Sequence, residues 1–280
     1  MNIQSAVIEG TNILKNSYVK TPQLDTEILM AKVFSSNREY IILNNLKDLN
    51  DYNLEYFKRL IRARAKRKPI AYILNKKFFW DSEFYVNENT LIPRPDTEVI
   101  IEEILRLTKY KNKLNILDIG VGSGCILLTI LKERNNFIGT GIDISKKSLD
   151  ICKINAKNFD LIERTKFYKS DIDKFTLGKY DLIVSNPPYI KSCDLKYLES
   201  EVVNYEPILA LDGGLDGLSQ VRKVISRSSE LIKKNGKFIL EIGFDQKNKV
   251  IKLLNKKGFY INNTIKDFAN NDRCIVSTKI

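Results

Sequence analysis

From Leu114 onward the chain alternates short apolar strands with amphipathic helices, and few folds accommodate such an order. The strand-like runs are LNILDI, FIGTGID, TKFYKSD, YDLIVS and GKFILEI, with helical stretches after Gly124 and from Lys146, Gly217 and Gln246. Alternation of this kind predicts an α/β domain with a parallel, doubly wound sheet and helices on both faces. Ligands on such sheets bind outside the carboxyl ends of the strands.

The first part of the chain has a different period. From Ile3 to about Lys68 apolar positions recur three and four apart, most plainly at Leu54, Phe57, Ile61 and Ala65, which predicts a small helical domain over residues 1–75. Thr21 before Pro22 reads as an N-cap followed by proline at the first helical position. Seven basic residues lie between Lys58 and Lys68. A charge run at a helix end is ordinarily a solvated face, with electrostatic docking as the alternative. Phe78 to Val86 (FFWDSEFYV) is aromatic and β-prone around a turn-like Asp81-Ser82, so a β-hairpin linker is expected over residues 76–91, ahead of a third segment at 92–280.

Composition removes several kinds of chemistry. The chain contains no histidine, which excludes Ser-His-Asp and Cys-His sites within it and most imidazole-based metal sites. Its four cysteines (Cys125, Cys152, Cys193 and Cys274) never form a CxxC pair, so neither a disulfide framework nor a zinc site is expected; they read as small buried side chains in a reducing compartment. No metal is expected. The start MNIQSAVIEG has neither the basic residues nor the apolar core of a signal peptide, and the longest apolar runs are short; the expectation is a cytoplasmic protein with no membrane association. A net charge of +12 favours an acidic partner, whether nucleic acid, ribosome or protein. Much of that excess is lysine scattered among Asn and Ile, a pattern that genome composition also produces.

Three features carry chemistry. At the end of the first strand of the alternating region stands Gly120-Val121-Gly122-Ser123-Gly124, preceded by Asp118. Glycines at such a turn let a ligand approach the main chain closely. The spacing is GxGxG, not the GxGxxG of dinucleotide binders, and no Lys-Ser/Thr pair follows as a P-loop needs. Asp143 closes the second strand about 20 residues further on, where an acid accepts both hydroxyls of a ribose; the alternative is an N-cap for the helix near Ser145. Asp171 and Ile172 follow the third strand, placed to flank an adenine ring or to form a plain strand-to-loop transition. A nucleoside site without a phosphate cradle suggests S-adenosylmethionine over NAD.

The third feature is Asn186-Pro187-Pro188-Tyr189, directly after the strand YDLIVS. Two prolines fix their own φ and remove two N–H groups, leaving a stiff loop that offers oxygens and few donors. A planar NH2 group can donate to the Asn186 side-chain oxygen and to the Pro187 carbonyl while Tyr189 packs on its flat face. An amide nitrogen is a poor nucleophile on which positive charge grows as a methyl arrives, and acceptor oxygens aimed at it stabilise that charge. Holding the nitrogen and methyl carbon in line at roughly 3–3.5 Å supplies further acceleration.

With these residues in view, the chain resembles the peptide chain release factor glutamine methyltransferases (the PrmC/HemK family) over almost its whole length. The matching stretches are PIAYILNKKFFW, FYVNENTLIPRPDTE, LDIGVGSG, SNPPYI, EVVNYEPILALDGGLDGL and LEIGFDQ. The resemblance implies a helical N-terminal domain, a hairpin linker, and a Rossmann-like class I methyltransferase domain with a mostly parallel seven-stranded sheet. It also implies the substrate, the glutamine of a Gly-Gly-Gln loop in class 1 release factors, with no direct need for nucleic acid. On this resemblance Gly120 to Gly124, Asp143, Asn186 and Ile172 look like cofactor contacts, Asn186 to Tyr189 look like the glutamine pocket, and Ile92 to Glu98 (IPRPDTE) lies beside the cofactor. Asn271 in KDFANNDR stands where relatives often hold glycine, so a changed loop is expected there. Three other readings compete. NPPY also occurs in enzymes that methylate exocyclic amines of adenine or guanine, but no target-recognition domain or aromatic-basic groove is visible. A sister family methylates a glutamine of a ribosomal protein, and the run Arg94 to Glu98 favours the release factor branch. A non-catalytic module that only docks on a partner fits poorly with an intact Asn186 and both prolines.

Overall fold

The computed structural model describes residues 1–280. By internal contacts the chain forms two units, Met1–Lys76 with Glu199–Tyr205, and Lys77–Leu198 with Glu206–Ile280.

The first unit is helical, built from α1 (Ile3–Asn16), α2 (Pro22–Val33), α3 (Arg38–Leu43), α4 (Asp51–Ala65) and α5 (Ile70–Leu74). Asn2, Asn37 and Asn50 start α1, α3 and α4 by accepting a backbone N–H of the first turn, satisfying a donor that the helix itself leaves unpaired. Thr21 departs from expectation. Pro22 opens α2, but the Thr21 side chain makes no cap bond; its hydroxyl donates to the Asp25 carboxylate at 2.9 Å. The core is Ile3, Leu14, Leu29, Met30, Phe57 and Ile61, all at most 2% exposed.

The basic run at the end of α4 is not one solvated face. Arg59, Arg62 and Lys66 are exposed, whereas Arg64 is buried and places Nε 2.6 Å from Asp25 and Nη2 3.0 Å from Glu201. Arg67 also reaches Glu201, at 3.0 Å. The 3.6-residue period explains the division, since position 64 lies one turn from the buried Leu60 and Ile61 and so points inward with them.

From the last residue of the first unit onward, β1 (Lys76–Phe79) and β2 (Ser82–Tyr85) form the expected hairpin, which lies in the second unit from Lys77. Its bend lies one residue earlier than Asp81-Ser82, with Trp80 at φ +56°. The hairpin packs within this unit: Phe84 meets Phe159 edge-on at 5.0 Å, and the Asn155 amide exchanges two hydrogen bonds with the Tyr85 backbone at 2.7 and 3.0 Å.

After α6 (Glu98–Leu107) come β3 (Asn115–Ile119), α7 (Cys125–Glu133), β4 (Ile138–Asp143), α8 (Lys146–Asn158), β5 (Thr165–Lys169) and β6 (Tyr180–Ser185). The chain then contributes α9 (Ser200–Tyr205) to the first unit and resumes with α10 (Ser219–Leu231), β7 (Ile232–Glu241), α11 (Lys247–Lys256), β8 (Phe259–Lys266) and β9 (Asp272–Lys279). The seven strands run in the order 5-4-3-6-7-9-8. Those from β5 to β7 pair in parallel, while β9 is antiparallel to both β7 and β8. Leu117, Ile183, Phe238 and Leu240 are fully buried, as strands covered on both faces must be. The order reverses beside β3, and a sheet of this kind opens its crevice at that place. No helix is long and apolar enough to cross a membrane.

Candidate active site

Register decides which loops meet. Ile119 at the end of β3 is the partner of Ser185 at the end of β6, and Ser185 is the partner of Leu240 on β7. The glycine turn from Gly120, the loop from Asn186 and the side chain of Glu241 therefore leave the sheet next to one another. Ser185 fastens the first two, its hydroxyl donating to the Ile119 carbonyl at 2.7 Å.

A cavity of about 340 Å³ opens at this edge. Gly120, Val121, Gly122, Ser123, Asp143, Asp171, Ile172, Asn186, Pro187 and Pro188 all contribute to its wall. The glycines act differently from one another. Gly120 has φ +78°, and a Cβ there would meet nothing within 4 Å, so its bare Cα faces open space. Gly124 does not line the cavity: at φ +86° it packs beneath the turn, where a Cβ would lie 2.7 Å from both Leu128 Cδ1 and Cys152 Sγ.

Asp143 accepts the Gly122 N–H at 3.0 Å and the Ser145 N–H at 2.8 Å. The cap of α8 is Ser145, which leaves the Asp143 carboxylate on the cavity wall with lone pairs to spare. Asp171 both lines the cavity and accepts the Asp173 N–H at 3.2 Å. Burial raises the Asp143 carboxyl, opposed by the bonds from Ser145 and Gly122. Cys125 also lines the wall, and burial pushes its thiol up to about 12, so it stays protonated and offers no thiolate. Of the remaining cysteines, Cys152 and Cys274 are buried, while Cys193 is exposed against expectation.

Tyr189 alone of the Asn-Pro-Pro-Tyr residues lies outside the cavity wall. Its hydroxyl donates to Glu241 Oε1 at 3.2 Å, and Arg273 donates to it at 3.3 Å. The loop is held from behind as well, because Gln246 Nε2 donates to the carbonyls of Tyr189 and Gly217 at 2.9 and 3.1 Å.

Comparison with known proteins agrees with this geometry. Residues 5–74 match the family described as PrmC N-terminal domain and residues 110–275 match a methyltransferase domain. The chain is 34% identical to the release factor glutamine methyltransferase of Clostridium acetobutylicum over 282 residues, covering 100% of this chain and 99% of that protein. It is 36% identical to the enzyme of the same name from Caulobacter vibrioides, covering 95% of this chain and 92% of the other. The chain belongs to the release factor glutamine methyltransferase family. Among solved structures a methyltransferase from Pyrococcus furiosus aligns with TM-score 0.52 at 18% identity, over 70% of this chain and 89% of that one, a likeness of fold.

The resemblance sets Ile92 to Glu98 beside the cofactor but singles out none of Glu206, Glu241 and Arg273, which also bear on the site. Pro93, Arg94 and Thr97 of the IPRPDTE segment line the cavity, and the buried Glu206 fixes that segment by accepting the Ile92 N–H at 3.2 Å and pairing with Arg94. Glu241 accepts the Thr97 hydroxyl at 2.8 Å. A signal for Glu241 was available: a carboxylate within the apolar run FILEI must be paired, because an unpaired buried charge is not tolerated. Its partners were not legible, since they come from positions 97, 189 and 273. Asn271 has no glycine-like conformation; the left-handed residue of that turn is Asn270 at φ +65°, and Asn271 donates its N–H to Asp267 at 2.9 Å.

Two buried carboxyls set a pH dependence of stability. Burial pushes Asp118 and Glu241 up to about 7 from ordinary values of 3.8 and 4.5. Between about pH 4 and 7 the folded chain keeps protons that the unfolded chain has released, so their contribution falls as pH rises through that window and levels off above it. Asp118→Asn and Glu241→Gln are each expected to flatten this fall, measured as denaturant midpoints from pH 4 to 7.5. An unchanged slope in both would contradict the assignment.

Proposed function

We propose that this protein transfers a methyl group from S-adenosylmethionine to the side-chain amide nitrogen (N5) of the glutamine in the Gly-Gly-Gln motif of class 1 peptide chain release factors, modulating translation termination. The observation that carries the reading is the juxtaposition of a proline-fixed acceptor loop, Asn186 to Pro188, with the glycine turn in one cavity.

The residues present fit the cofactor. Asp143 offers acceptors for ribose hydroxyls, Ile142, Ile144 and Ile172 offer apolar surface for a purine, and the bare Gly120 leaves room beside the main chain. When bound, S-adenosylmethionine supplies an electrophilic methyl on a sulfonium centre. The chain's own part is positional. Asn186 Oδ1 and the Pro187 carbonyl accept the two amide hydrogens of the glutamine, fix its plane and stabilise the positive charge that grows on nitrogen. Tyr189 works from behind the loop, through Glu241. No base is needed before transfer, since the amide proton becomes acidic only as the new N–C bond forms.

The helical segment 1–75 is assigned to docking of the release factor, with Arg59, Arg62 and Lys66 as the exposed part of the basic run. Arg64 and Arg67 are engaged within the unit.

The test is a transfer assay with labelled cofactor on a class 1 release factor, ribosomal proteins, DNA and RNA in parallel. Label on the glutamine of the release factor is expected; label on nucleic acid alone, or on a ribosomal protein alone, defeats the reading. In addition, Asp143→Ala is expected to weaken cofactor binding by about 10- to 100-fold, since each bond to a charged acceptor contributes about 1.5–3 kcal/mol. Calorimetric titration giving the parent affinity would remove Asp143 from the site.

A further inference from the structure

The Asn186 amide is useful only in one orientation. Its oxygen must face the substrate nitrogen, because a rotation of 180° about the last side-chain bond would present an NH2 group to an NH2 group. An amide in a loop does not choose between these orientations unaided. Asn186 Nδ2 lies 3.3 Å from Thr97 Oγ1, and Thr97 Oγ1 lies 2.8 Å from Glu241 Oε2. Thr97 and Glu241 are 3% and 2% exposed, so water does not offer substitutes for these bonds.

We propose that Glu241 and Thr97 are positioning residues that lock the Asn186 amide with its oxygen toward the substrate nitrogen. The direction of every bond in the chain follows from proton counting. An ionised carboxylate only accepts, so the single Thr97 proton goes to Glu241. The Thr97 oxygen can then only accept, and it accepts from Asn186 Nδ2. Asn186 Oδ1 is left for the cavity. The same rule orders the other arm: Arg273 donates to the Tyr189 oxygen, and the Tyr189 proton goes to Glu241 Oε1. One carboxylate thus sets both the first and the last residue of the Asn186 to Tyr189 loop. Protonation of Glu241 undoes the order, because a carboxylic acid can donate to Thr97, whose own proton then turns toward Asn186 and favours the reversed amide.

The groups around Glu241 tell which of them titrate with it. Arg273 on β9 and the carboxylate of Asp96 face it, as do the Tyr189 hydroxyl and the thiols of Cys125 on α7 and Cys274 on β9. Burial raises the Tyr189 hydroxyl and both thiols, so these stay protonated at neutral pH. Burial also pushes Glu241 up to about 7, which places the switch of the relay near neutrality.

The inference rests on the methyl-transfer reading, and one readout stands apart from it. In protein labelled with 15N at asparagine, the Asn186 side-chain NH2 resonance, assigned by its loss in Asn186→Ala, is expected to shift with pH through an apparent midpoint near 7. That shift is expected to vanish in Glu241→Gln and in Thr97→Val. In the transfer assay Thr97→Val is expected to lower kcat about 30-fold with cofactor affinity within threefold, and Thr97→Ser to restore kcat to within threefold of the parent. The kcat of the parent is expected to rise with pH through about 7, and that of Glu241→Gln to be low and flat. A pH-invariant Asn186 resonance in the parent, a Thr97→Val enzyme within twofold of parent kcat, or a Thr97→Ser enzyme as slow as Thr97→Val would each overturn the relay. If the parent labels no release factor, the functional reading fails while the resonance still tests the relay.

Discussion

Asn186→Ala is expected to lower methyl transfer by about a thousandfold or more while leaving cofactor affinity within about tenfold. Removing a single preorganised group that stabilises transition-state charge typically costs about 10²–10³ in kcat, and this side chain also sets the plane of the incoming amide, which adds a loss of alignment. Cofactor affinity is spared because the glycine turn and Asp143 stand on other strands, and because the loop keeps its shape without the amide. Its path is fixed by two prolines, by Ser185 bound to the Ile119 carbonyl, and by Gln246 bound to the Tyr189 carbonyl. Single-turnover rates together with calorimetric binding separate the two effects. A variant that transfers methyl at the parent rate would show that the acceptor loop is not the substrate pocket; one that cannot bind cofactor would show that Asn186 holds cofactor and not substrate.

Arg64→Ala is expected to destabilise the helical unit by about 3 kcal/mol. The guanidinium is 5% exposed and stands between Asp25, itself 5% exposed, and Glu201. Breaking a buried ion pair by deleting one partner costs about 3–5 kcal/mol, because the remaining charge stays buried and uncompensated. Glu201 keeps Arg67 and is partly rescued. Asp25 retains only the Thr21 hydroxyl and a place in the core. The lower end of the range is therefore appropriate, and at about 4–8 °C per kcal/mol for a domain of this size it lowers the melting temperature of that unit by at least about 10 °C. Arg62→Ala, on the exposed side of the same helix, is the control and should stay within about 0.5 kcal/mol of the parent. Equal melting of the two variants would mean that the Asp25–Arg64–Glu201 cluster carries no stability. The cluster, with Lys20–Glu199 and the Tyr205 hydroxyl on the Lys66 carbonyl, ties the 199–205 segment, which follows the Asn-Pro-Pro-Tyr loop in the chain, into the helical unit.

The two arginines show where reading a sequence stops. Arg62 and Arg64 look alike as members of one basic run, and the helical period alone puts one outward and one inward; what Arg64 meets there depends on a glutamate 137 positions away. The strand runs of the alternating region all became strands, but the final antiparallel pair β8 and β9 did not stand out. Tyr260, Asn262, Asn263 and Lys266 give β8 a largely polar, part-exposed face, and an edge strand of this kind lacks the continuous apolar run that marked the central ones. Tyr189 was expected on the face of the substrate amide from its place in the motif. In the fold its hydroxyl bonds Glu241 and Arg273, partners from distant strands that the motif alone does not reveal.

What the sequence determined by itself was everything set by neighbours along the chain: the alternation that makes a doubly wound sheet, the glycines that open a turn at the end of β3, and the two prolines that strip donors from the loop after β6. Backbone sterics and hydrogen-bonding capacity act over a few residues, and so they are written locally. The tertiary structure alone decided which distant side chains share a buried space. Thr97, Asn186, Tyr189, Glu241 and Arg273 converge because β3, β6, β7 and β9 lie in that order in one sheet, and a carboxylate taken out of water must find its donors wherever the fold brings them.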